Sequence, residues 1–172
     1  MTRDQRIRRV ALLCGHCMRN IAFYRAGWHR TVPRVKTPFW VNANSNCIDV
    51  AVLEWCKLFA ERNGRHHWKT AVTDRECFRA ELVTVLGVSW ADFSQYAINV
   101  VLKYRDSFVA HLDDDNTMHV PSLRMMRVSV AFLYRYILDV EAPPGLLVDA
   151  PPPGQLYSFL FRHAREQYAR AM

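Results

Sequence analysis

No run of apolar residues in the 172-residue chain approaches the roughly 20 needed to cross a bilayer, so no membrane-spanning segment is expected. Short, too, is the apolar stretch behind the basic N-terminus. Val10 to Cys14 falls below the roughly 7–15 residues of a signal-peptide core, and the expectation is a soluble, cytoplasmic protein. Cysteine numbers only five, an odd count, and most of these lie in apolar segments, which argues against a secreted disulfide framework. Lysine is scarce, since 19 of the 23 basic residues are arginine, the side chain better suited to bidentate phosphate contact. A Gly-rich phosphate loop, H-E-x-x-H and G-x-S-x-G are all missing, so the common signatures of nucleotide, zinc-protease and α/β-hydrolase chemistry are absent. No internal repeat and no second core pattern appear.

What remains is a chain that is 51% hydrophobic with a net charge of +7. That composition excludes disorder and collagen-like repeats, and it supports one buried core. The basic surplus raises the prior for a nucleic-acid partner without requiring one.

The periodicity is helical throughout. From Arg6 to Trp28 the residues Ile7, Val10, Cys14, Cys17, Ile21, Tyr24 and Trp28 alternate at spacings of three and four, the seam of an amphipathic helix. Pro33 and Pro38 predict an extended connector over Thr31 to Ala43, with Phe39 and Trp40 pinned to the core. Asn44, Ser45 and Asn46 are N-cap candidates for a second helix through Val50, Leu53, Trp55 and Leu58, stopped by Asn63-Gly64. Thr73 with Glu76 forms a capping-box pattern for a helix ending at Gly87, and Ser89 with Asp92 opens a fourth. The fourth carries Trp90, Phe93, Ala97, Val100, Val101, Tyr104 and Phe108 on one stripe. Pro121 and Ser122 open a fifth helix to about Val140, with Leu123, Val130, Leu133, Tyr134 and Ile137 inward. Residues 142–154 hold five prolines and two glycines and cannot be helical. A terminal helix, 155–170, packs Leu156, Phe159, Leu160 and His163 or Ala164. The expectation is an all-α fold: residues 1–172 as a single helical bundle of about five to six helices.

The most informative segment is Lys103-Tyr104-Arg105-Asp106-Ser107-Phe108-Val109-Ala110-His111-Leu112-Asp113. Two α-helical turns separate His111 from Tyr104, which continues the apolar stripe to the histidine. Arg105 falls at the rim of that stripe, with Asp106 beyond it. A core histidine with Arg105 snorkelling into a salt bridge accounts for the pattern in structural terms.

Arg105-Asp106-x-x-x-Ala110-His111-x-Asp113 also resembles the R-x4–6-H signature of the HEPN superfamily, in which a polar residue follows the arginine. The fuller string from Tyr104 to Asp113 is similar in particular to the abortive-infection (AbiU-like) branch. The likeness is specific over these ten residues and architectural elsewhere, where the Asp49…Trp55-x-Lys57 helix is consistent with it. It implies a homodimer in which two motif helices line one cleft. It also implies metal-independent endoribonuclease activity without a cofactor, in phage defence or a toxin–antitoxin system with a cognate antitoxin protein. In that scheme His111 is general acid or base at the ribose 2′-hydroxyl and leaving oxygen, and Arg105 neutralises charge on the phosphorane. Asp106 orients Arg105 or His111, Tyr104 stacks on a base or packs, and Asp113 completes the pattern. Other members of the superfamily serve only as RNA- or protein-binding modules, and this is the alternative reading.

Other constellations are weaker. Cys14-Gly15-His16-Cys17 matches a disulfide-isomerase tetrapeptide, but no strand or thioredoxin-like pattern precedes it, and both cysteines fall on the first helix's apolar seam. His66-His67 lies in a basic loop, expected to be solvated, from which Arg62, Arg65 and Lys69 reach RNA phosphates. Asp113, Asp114 and Asp115 offer oxygen ligands for Mg²⁺, although a solvated turn neutralised by Arg124 and Arg127 is the simpler reading.

Overall fold

A computed structural model describes residues 1–110 and 120–172; His111 and the acidic turn Asp113, Asp114 and Asp115 lie outside the described residues. The architecture is an all-α bundle with one two-stranded hairpin. Its elements in order are α1 (Arg3–Ala26), β1 (Trp28–His29), β2 (Val32–Pro33), α2 (Pro38–Phe59), a 3₁₀ turn (Trp68–Thr70), α3 (Arg75–Leu86), α4 (Trp90–Tyr96), α5 (Leu123–Tyr136) and α6 (Pro153–Arg170). Two helices are prolonged in π geometry, α4 through Ala97–Leu102 and again through Arg105–Ala110, and α5 through Ile137–Glu141.

The first helix is the hub, packing against α2, α5 and α6. Its seam follows the spacing from Ile7 through Val10, Cys14 and Cys17 to Ile21, all fully buried, but Tyr24 is half-buried and Trp28 falls past the end of the helix, in β1. Thr2 and Gln5 close a reciprocal capping box at its start. Gly27 ends it at an ordinary negative φ, so space, not backbone freedom, requires glycine there. A Cβ at Gly27 would run into Asn44 Nδ2 and the Tyr168 hydroxyl.

The second helix starts at least seven residues earlier than its asparagines predict, with its cap at Thr37 and not at Asn44. Pro38 occupies its first turn, where the missing N–H costs nothing, behind Thr37 as N-cap. The expected connector is therefore only a short hairpin. Asn44 is buried instead of capping, and donates to Tyr24 O and Tyr168 Oη at 2.9 Å each. Phe39, expected in the core, is exposed, whereas Trp40 packs on Tyr168 with ring centroids 5.0 Å apart. The helix ends at Phe59, before Asn63-Gly64.

Asp74, not Thr73, caps α3, accepting from Cys77 N, and Gly87 closes that helix in the left-handed conformation at φ 70°. Ser89 and Asp92 form the expected capping box of α4. Thr73 is drawn elsewhere. Its N–H and hydroxyl donate to the Glu141 carboxylate at 2.7 and 2.8 Å, and Arg3 completes the same buried node at 2.6 Å. The starts of α1 and α3 and the end of α5 meet on this one carboxylate.

In α6 Leu156 packs on the main core and Ala164 is buried, as expected, but Tyr157, Phe161 and Tyr168 complete the inward face, while Phe159 and His163 are exposed and stack on each other. The correction has a local cause. Tyr168 meets Asn44 and Trp40, and Arg25 donates to Tyr157 Oη at 3.0 Å, which turns this stripe toward α1 and α2. Ala26, Val35, Ala164 and Tyr168 form a small core of their own, separate from the main one. Among the described residues no helix is long and apolar enough to cross a membrane.

Candidate functional site

The helix begun at Trp90 lies along α2, and its buried side is Phe93, Ala97, Val101 and Tyr104. Val100, expected inward, is exposed. The π-helical turns explain this. An i→i+5 turn holds more residues than an α turn, so each residue advances less about the axis and the α-spaced stripe drifts. π turns inside helices also occur often at functional sites.

Tyr104 packs. It is 2% exposed, its ring lies 5.6 Å from that of Phe108, and its hydroxyl donates to Asp49 Oδ1 at 2.9 Å. Burial, then the Asp49 hydrogen bond and charge, push its phenol well above the ordinary range. It stays protonated and fixes the π-helical segment to α2.

Arg105 stands at the rim. Its Nη1 donates to Glu61 Oε1 at 2.6 Å, and both Nε and Nη2 lie 2.8 Å from Asp106 Oδ1. Burial alone would lower its pKa, but Asp106 and then Glu61 raise it overall, so the guanidinium is held charged. Of the five N–H groups of an arginine, these contacts engage three. Among the described residues the carboxylates thus aim the fork without exhausting it. Asp106 contacts Arg105 directly; Glu61, just past the end of α2, was not singled out by any motif. His111 and Asp113, the other two members of the motif, lie outside the described residues.

The basic loop is split by the fold. Arg62 and Lys69 line one pocket together with Arg79, whereas Arg65 lines a separate groove with Arg6, Arg8 and Arg9. His67 is not solvated as expected. It is 2% exposed, accepts from Lys69 N at Nδ1 (3.3 Å), and places Nε2 3.3 Å from Phe59 O. An accepting Nδ1 puts the proton on Nε2, which donates to that carbonyl. Burial foremost, and then Lys69, lower its pKa to about 4, so it is a neutral structural imidazole.

Cys14 and Cys17 are free thiols with no exposure, and Cys17 donates to Ala51 O. Burial raises both thiols well above the ordinary value. A thiolate nucleophile is disfavoured there. Arg127 lies over the Tyr157 ring at 5.4 Å; the acidic turn it was expected to neutralise lies outside the described residues.

Compared with protein-family models, with curated proteins and with solved structures, the chain matches none.

Proposed function

We propose that the protein is a metal-independent endoribonuclease of the HEPN type, acting as a homodimer in phage defence or as the toxin of a toxin–antitoxin pair. One observation carries the reading: a half-buried Arg105 guanidinium, aimed by Glu61 and Asp106 and with N–H groups to spare among the described residues, six positions before His111 in the sequence. In the reaction, the ribose 2′-oxygen attacks phosphorus and the 5′-oxygen leaves. One histidine takes the 2′-hydroxyl proton and the second subunit's histidine gives one to the leaving oxygen. The products are a 2′,3′-cyclic phosphate and a 5′-hydroxyl. Arg105 donates to the non-bridging oxygens, where charge grows in the transition state.

A binding module is favoured by a different feature of the same arginine. Two carboxylates already compensate its charge, which suits a residue that docks RNA or a protein without driving a reaction.

The test incubates the full chain with end-labelled RNA in excess EDTA, beside Arg105→Ala and His111→Ala variants checked for fold by circular dichroism. Cleavage to cyclic-phosphate ends, lost in both folded variants, is the expected result. Well-folded wild-type protein that binds but does not cut RNA would establish the binding module instead.

A further inference from the structure

The pocket holding Arg62 and Lys69 is unlike the rest of the basic surface. It is closed by the end of α2, the 3₁₀ turn, α3 and the first turns of α4, and its volume is about 150 Å³. Arg62, Lys69 and Arg79 line it, with Trp68, Trp90 and Ser94 between them. The Arg79 guanidinium lies 5.0 Å from the Trp90 ring and 5.8 Å from Trp68, and Lys69 Nζ lies 5.7 Å from Trp68. Aromatic faces hold these cations in place without neutralising them.

The cations are poorly matched by acid. Glu76 pairs with Arg79 at 2.8 Å from an exposed position. Arg79 Nε is buried without a hydrogen-bond partner among the described residues. Burial, then Arg79, Arg62 and Arg75, lower the Lys69 pKa, with Glu76 pulling the other way. Beneath them His67 is held neutral. A concentrated anion is what this arrangement lacks.

We propose that this pocket is a binding site for a phosphate monoester, taking the terminal phosphate group between Arg62, Lys69 and Arg79. Size admits the group. A cavity of about 150 Å³ takes a group the size of benzene, which is room enough for a phosphate and its oxygens. Charge selects the ester. A monoester carries close to two negative charges at neutral pH, with a second pKa of about 6, and it enters end-on. A bridging diester carries only one charge, so it gains less from the three cations. Hydrogen bonds from charged donors to phosphate oxygens are the strong ones. Arg62, which lines the pocket, directly follows Glu61, and Glu61 holds Arg105 at 2.6 Å. A phosphorylated RNA end seated here therefore places its neighbouring nucleotides near the guanidinium. The proposal does not rest on cleavage.

The chemistry could be presented by free phosphate or by an RNA end, and the experiment separates them. Inorganic phosphate and 2′-O-methyl oligonucleotides with 5′-phosphate, 3′-phosphate or hydroxyl ends are titrated into the full chain while tryptophan emission is followed. The 2′-O-methyl group removes the nucleophile, so failure of the ribonuclease reading leaves this test intact. Saturable quenching by phosphate is expected, with about tenfold tighter binding of one phosphorylated oligonucleotide over its hydroxyl counterpart. That preference should vanish in Lys69→Gln and Arg62→Gln, two polar replacements at the pocket's edge. Quenching by phosphate with no gain for any oligonucleotide would support the site and assign it to a free phosphate. Absence of saturable binding by any phosphate, or a preference unchanged in both variants, would overturn it.

Discussion

Two arginines in this molecule hold a carboxylate oxygen at 2.6 Å, and the distance says nothing about their roles. In the Arg3–Glu141 pair the carboxylate is 2% exposed and the arginine 47%. In the Arg105 cluster the burial is reversed, with the arginine 22% exposed and Glu61 and Asp106 at 39% and 52%. Glu141 is a desolvated anion that must be satisfied from three sides, so it binds elements together. Arg105 is a cation steadied by acids that water screens. Such acids contribute little to stability and can yield to a stronger anion. The same ion pair is a fastener in one place and a holder in the other.

The sharpest test of that contrast is Arg105→Ala. RNA cleavage should fall on the order of 10²–10³-fold, the loss typical of one transition-state donor, while the melting temperature stays within about 2 °C. Preserved cleavage with a large fall in stability would make Arg105 a second Glu141.

Glu141→Ala should do the reverse. Stripping Thr73 and Arg3 of a buried acceptor costs about 3 kcal/mol, read as a lower denaturation midpoint, with cleavage per folded molecule unchanged.

The buried side of the comparison extends to His67, whose pKa is lowered from 6.5 to about 4. The unfolded chain then takes up its proton before the folded one does. The stability is present above pH 6.5 and drains as pH falls toward 4. Between pH 7 and pH 5 the loss attributable to this group is about 2 kcal/mol, and His67→Gln should flatten that part of a denaturation series.

The smallest effect belongs to Glu61→Gln. Stability should change by less than about 1 kcal/mol, whereas RNA affinity should rise as Arg105 loses a competing acid. A fall in affinity would mean that aiming the fork matters more than freeing it.

Much of the bundle was legible because α-helices announce themselves by spacing and caps. The seam of α1, the Ser89–Asp92 box and Gly87 stand where their chemistry puts them, and the proline-rich break does too except at its end, where Pro153 and Gly154 already belong to α6, proline being tolerated in a first turn. The start of α2 was not, because Asn44 looks like a cap and is in fact a buried donor whose acceptors, Tyr24 and Tyr168, come from distant helices. The inward stripe of α6 was misread for the same reason, since two stripes share Ala164 and only the partner surface chooses between them.

At the site, Arg105 and its neighbour Asp106 were readable as a motif. Glu61 was not, since it approaches from 44 residues away. Nor was the drift that exposes Val100, because hydrophobic spacing assumes α geometry and residues 97–102 and 105–110 are π-helical. The two-turn argument that carries the stripe from Tyr104 to His111 assumes α geometry across the second of these segments. The burial of His67 depends on a carbonyl left at the end of α2, which no local pattern reveals.

The small core shared by Ala26, Val35, Ala164 and Tyr168 has a consequence for biosynthesis. The helices α1, α2 and α5 can close the main core as soon as residue 141 has emerged. The end of α1 waits for the proline-rich segment and α6, some 30 residues later, or a few seconds at usual rates of translation. During that interval Asn44 lacks Tyr168 and the Gly27 crossing is uncovered. The helix α6 is thus a lid on α1, and until it is made the nascent chain carries this bundle with one seam still open.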